Sequence, residues 1–85
     1  MIHPTRDTVL AAIAQYFPTE GVADVRAILD LYGVEAYERE RERVQLGILK
    51  LSAGDIDKLF HFTDVAKHDY RDVLYWAEDA QNGAA

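Results

Sequence analysis

The stretch Tyr37–Leu51, YERERERVQLGILKL, constrains the fold of this chain more than any other, because its first half is charge and its second half almost wholly apolar. At roughly 100° per residue, Tyr37, Val44, Ile48 and Leu51 fall on one narrow stripe, whereas Leu46 and Leu49 lie roughly 120–180° from it. A helix that is apolar on more than one side is surrounded by other helices or by a partner chain. The stretch is therefore expected to form a central helix, about 35–53, closed by Gly54. A strand is the rival, since Val44, Leu46 and Ile48 alternate with Gln45 and Gly47. The alternation breaks at Leu49, and Glu, Arg, Leu, Gln and Lys favour a helix.

The flanking segments supply neighbours for it. Thr5 or Asp7 can cap a first helix running to about Phe17, with Val9, Ile13 and Tyr16 inward, and Pro18 ends it. A second helix, about Val22–Tyr32, turns Val25, Leu29 and Tyr32 inward and stops at Gly33, where a left-handed residue is wanted. Asp55 can cap a fourth, about Ile56–Lys67, whose inner face is Ile56, Leu59, Phe60, Thr63 and Ala66. Asp69 opens a fifth, to about Asp79, with Tyr70, Val73, Leu74 and Ala77 inward; a kinked continuation of the fourth is the alternative. Residues 81–85 read as a frayed tail. The expected fold is all-α: one domain, residues 1–85, forming a compact bundle of four to five short helices around the central one.

Composition and charge exclude several functions. The chain has 85 residues and no cysteine, so neither a disulfide framework nor a thiolate zinc site is expected. No run approaches the roughly 18 apolar residues of a membrane span, and no basic segment precedes a long apolar run, which points to a soluble, cytoplasmic protein without membrane contact. The net charge is −6, and residues 52–85 carry seven acidic against three basic groups. Such a surface repels phosphate backbones, so nucleic acid is not an expected partner.

Three clusters are candidate sites. In Glu38–Arg43 the interleaved glutamates cancel the field of the arginines, which argues against phosphate binding and for a solvated face. Arg41 is the exception: it lies about 40° from Tyr37 and about 60° from Val44, so its guanidinium is expected to meet a carboxylate of another helix, Asp69 or Asp72. Asp57, His61, Asp64 and His68 fall within roughly 60° of one another and are weak candidates for a metal or acid–base site. The stripe spans too many turns for one ion, and no HExxH pattern is present, so a solvent-facing structural role is expected. No catalytic residue, metal or cofactor is assigned. Among the aromatic residues Tyr75 falls on the outer side of the fifth helix and Phe62 on the flank of the fourth, and exposed aromatics of this kind are enriched where partners bind. Gly47 marks a close helix–helix approach.

Roughly residues 29–79 resemble a set of short, uncharacterised bacterial proteins. The resemblance is carried by ERERVQLGILKLS at 40–52, Gly54-Asp55, and DYRDVLYWAE at 69–78. It implies a bacterial, cytosolic, helical domain, and no functional residue comes with it. The expected function is a non-enzymatic protein–protein interaction or structural module, self-associating as a homodimer through Leu46 and Leu49, with Phe62 and Tyr75 as further contact residues. The alternative is a small metal-binding or hydrolytic protein using the Asp57/His61/Asp64/His68 stripe. An acidic inhibitor imitating nucleic acid has only the net charge behind it.

Overall fold

Thr5 opens the first helix. In the computed structural model, which describes residues 4–83 and their side chains as far as Glu78, the Thr8 N–H donates to the Thr5 hydroxyl at 3.3 Å and the Thr5 N–H donates to Thr8 Oγ1 at 3.2 Å. This reciprocal cap starts α1 (Arg6–Tyr16), which ends before Pro18. A 3₁₀ turn (Thr19–Gly21) leads into α2 (Val22–Leu29), and α3 (Arg41–Ser52) follows a connection over residues 30–40. Asp55 Oδ1 accepts from the N–H groups of Asp57 and Lys58 and so begins α4 (Ile56–Gly83). The expected fourth and fifth helices are the two parts of α4. They are joined at Asp69, which leaves helical geometry at φ −157° and ψ 99° and whose Oδ1 accepts from the Arg71 N–H at 3.1 Å. The kinked continuation is thus the form adopted, and it runs to Gly83 rather than ending near Asp79. Residues 1–3 and 84–85, the latter the end of the expected tail, lie outside the described residues. The fold is all-α, with no strand among the described residues, and none of its described helices is long and apolar enough to cross a membrane.

The core is built mostly by the predicted periodicities, with Leu49 added to it. Val9 and Ile13 of α1, Leu29 of α2, Val44, Ile48 and Leu49 of α3, and Leu59 and Val73 of α4 are completely buried. α3 packs against both α1 and α4. Gly47 sits where α3 meets the second part of α4: a Cβ there would lie 3.2 Å from Val73 Cγ1 and 3.3 Å from Ala77 Cβ.

The charged run departs from expectation. The central helix begins at Arg41 instead of Glu35, and α2 ends at Leu29 instead of Tyr32. Tyr37, placed on the inner stripe, is 67% exposed, while Glu38, placed on the solvated face, is only 6% exposed. The cause is a set of hydrogen bonds that a continuous helix could not make. Glu38 Oε1 accepts from the N–H groups of Gly33, Val34 and Glu35 at 2.9, 3.0 and 3.2 Å. Lys67 Nζ donates to Glu38 Oε2 at 2.9 Å and to the Leu31 carbonyl at 2.8 Å. The buried Tyr32 hydroxyl donates to the Arg39 carbonyl at 2.7 Å. Gly33 takes the expected left-handed backbone at φ 105°, and a Cβ there would come 2.6 Å from Cγ of Arg41, whose stem crosses it.

Arg41 pairs with neither Asp69 nor Asp72. Its Nη2 lies 3.3 Å from Asp30 Oδ1, and Asp69 is held by Arg71. Residues 37 and 41 do not share a helix, so the angle from Tyr37 that helped to place Arg41 does not exist. The tighter partner of Asp30 is Arg6, which donates from Nη1 and Nη2 at 2.7 Å each. Gln45, completely buried, donates to the Leu29 carbonyl at 2.9 Å and the Tyr32 carbonyl at 3.2 Å, closing the C-terminal end of α2. α1, α2 and α3 are thereby joined at one polar node.

Burial pushes the Glu38 carboxyl up, but the Lys67 ammonium and the three backbone N–H groups prevail and hold it at about 2, from an ordinary 4.5. The folded state therefore binds the Glu38 proton less tightly than the unfolded chain. Its stabilisation is full above about pH 4.5 and is lost as pH falls toward 2. Glu38→Gln is expected to lower stability at neutral pH by up to roughly 3 kcal/mol, with the gap to the parent narrowing in acid, as read by urea unfolding across that range. Gly47→Leu is expected to cost about 1–3 kcal/mol in the same assay, because neither Val73 nor Ala77 can retreat without opening α4.

Candidate interaction site

α2 and the start of α4 border an open groove of about 610 Å³. Phe17, Val25 and Ile28 form its buried floor, and Ile56 and Phe60 stand on its α4 side at 41% and 54% exposure. Both were expected in the core. The buried positions of this part of α4 are Leu59, Thr63 and Ala66, and on a helix that axis leaves Ile56 and Phe60 roughly 50–90° to the flank. Spaced four apart, these two side chains lie one above the other along the groove.

The groove is negative in character. Asp24 is the one charged residue lining it. Arg26 lies roughly opposite the lining face of α2, and Lys58 roughly opposite Ile56 and Phe60 on α4. Asp55 and Asp57, both exposed, flank Ile56.

A second open groove, about 740 Å³, runs between α1, α3 and the end of α4. Its floor is small, with Ala12, Gly47 and Ala77, and its rim is crossed by Arg43. That guanidinium makes two 2.7 Å bonds to Glu78 and one of 3.0 Å to Glu40. Leu46 lines this groove, half-buried.

The structure separates the residues singled out in the sequence. Leu49, expected on a face left for a partner, is completely buried, because α1 and α4 cover both sides of α3. Phe62 is half-buried and meets the Trp76 ring edge-on at 6.2 Å and the His61 ring at 5.0 Å. Tyr75 is 67% exposed on α4. Asp57, His61, Asp64 and His68 are all exposed, and His68 Nδ1 lies 2.8 Å from the Asp64 carbonyl oxygen but 3.9 Å from its carboxylate. Among the described residues no group of three or more His, Cys, Asp or Glu is placed to hold a metal ion. The buried Glu38 and the partly exposed Asp30 are occupied by their structural partners. Phe17 and Ile28 were missed as site residues. The triplet Val25, Ile28 and Leu29 does signal an apolar face wider than one neighbour covers.

No family model matches the chain, and no curated protein or solved structure is significantly similar to it.

Phe60→Ser is expected to change the unfolding free energy by less than about 1 kcal/mol, whereas Leu59→Ala beside it costs about 2–5 kcal/mol. Denaturant midpoints of the two variants distinguish a surface residue from a core one. Calorimetric titration with zinc is expected to show no stoichiometric, submicromolar uptake, and His68→Ala no change in that result.

Proposed function

We propose that this chain is a non-enzymatic, cytoplasmic interaction module that presents the groove between α2 and α4 to another protein. The observation that carries this reading is the exposure of Ile56 and Phe60 side by side above an apolar floor. A folded domain gains nothing in water from holding two large apolar side chains there, and concave apolar surfaces with a few polar groups at the edge are where partners bind. The rest of the surface supports the same class. The buried Glu38 and the partly exposed Asp30 are tied into the bundle, and His61 and His68 stand on open surface. Acid–base chemistry needs two titratable groups converging on one reacting atom in a sheltered place. The self-association first expected at Leu46 and Leu49 has lost Leu49 to the core, which moves the weight of the reading to the α2–α4 groove.

Site-specific photocrosslinking in the native host tests this. A benzophenone side chain replacing Phe60 is expected to yield a discrete protein adduct, whereas the same group replacing Lys58, on the opposite face of α4, yields none. Ile56→Ser should weaken the adduct. Equal labelling from both positions, or none from position 60, contradicts the reading.

A further inference from the structure

Resting on that reading of the groove, we infer that its occupant is a basic amphipathic helix of a partner protein. The first ground is the backbone around it. The bordering elements are helices and turns, and no strand with a free edge exists among the described residues, so a partner cannot add a strand by main-chain pairing. What the groove offers is side-chain surface: the Ile56–Phe60 pair over Phe17 and Ile28. A helix presenting apolar residues three and four apart matches that pair in direction and period.

The second ground is charge. Asp24 lines the groove and Asp57 follows the lining Ile56 in sequence, and neither forms an ion pair among the described residues, in contrast to Asp30, Glu38, Glu40, Asp69 and Glu78. Glu20, one residue before the lining Gly21, is exposed and likewise unpaired. Among the described residues no cation lines the groove. A lysine- or arginine-bearing helix would meet the unengaged Asp24 in an apolar trough, with Glu20 and Asp57 one residue from lining positions. A second copy would instead bring Asp24 and Asp57 against acidic residues on a chain of net charge −6. Anionic lipid and nucleic acid are repelled for the same reason.

The test uses the full chain and three synthetic helical peptides of one apolar pattern, with leucine on one face and lysine, glutamine or glutamate on the other. A scrambled leucine–lysine peptide controls for charge alone. Binding is read by fluorescence anisotropy at low and moderate salt, and its place by amide chemical-shift changes. The leucine–lysine helix is expected to bind at least about tenfold tighter than the leucine–glutamine helix, to weaken with salt, and to shift the amides of Ile28, Ile56 and Phe60. Phe60→Ser should reduce its affinity about tenfold or more. Asp24→Asn combined with Asp57→Asn should remove most of its advantage over the glutamine peptide. Equal binding of the lysine and glutamine helices at the groove overturns the basic partner while leaving a helix-docking groove. Equal binding of the scrambled peptide, or shifts confined to other surfaces, overturns the proposal as non-specific attraction. No groove shift with any peptide also overturns it, and crosslinking from position 60 then decides separately whether another kind of protein docks there.

Discussion

A carboxylate taken out of water has to be met by several donors at once, and Glu38 is the residue on which this fold depends for that reason. Its donors come from two places in the chain: three backbone N–H groups just after α2, and the Lys67 ammonium of α4. By satisfying both, Glu38 fixes the course of residues 30–40 and fastens it to α4. Lys67 adds a bond to the Leu31 carbonyl, and Tyr32 reaches across the loop to Arg39. The charged run is thereby divided. Its first part becomes an ordered connection, and only Arg41 onward enters the helix.

The same polar work sets where the apolar surface opens. Asp30 and Gln45 tie the C-terminal end of α2 to α1 and α3, and Gln45 takes up carbonyls that the helix end would leave without donors. α2 is short and held at that end, and positions between Gly21 and Ile28 border the groove. The buried face of α4 is centred on Leu59, Thr63 and Ala66, which leaves Ile56 and Phe60 beside the groove with no neighbour to cover them. Core packing and polar fastening together account for the open groove, which no single residue pattern encodes.

What could be read from the sequence follows the range of the forces involved. The cap at Thr5, the stop at Pro18, the left-handed Gly33, the break at Asp69 and the close approach at Gly47 are local or periodic, and each is visible in a few residues. The buried stripe of Val9, Ile13, Val25, Leu29, Ile48 and Val73 is equally plain from helical spacing. The 30–40 connection was not legible, because alternating Glu and Arg are good helix formers and nothing near Glu38 announces a partner 29 positions later. Arg41 was given the wrong carboxylate for the same reason, its angle from Tyr37 having been counted across a connection that is not helical. Ile56, Phe60 and Leu49 were misplaced because an apolar stripe states what could be buried, while the neighbours decide what is.

Hydrogen exchange at three amides tests the central claim, that Glu38 holds the connection in one ordered course, more directly than any activity could. If its carboxylate accepts from Gly33, Val34 and Glu35 as described, those amides open only when the Lys67 clamp breaks, and each should exchange far more slowly than an unstructured peptide despite lying in a loop. The three should also accelerate together in Glu38→Gln while the amides of α1 are slowed or hastened only by the change in global stability. Exchange of Gly33, Val34 and Glu35 at unprotected rates in the parent protein would contradict the account.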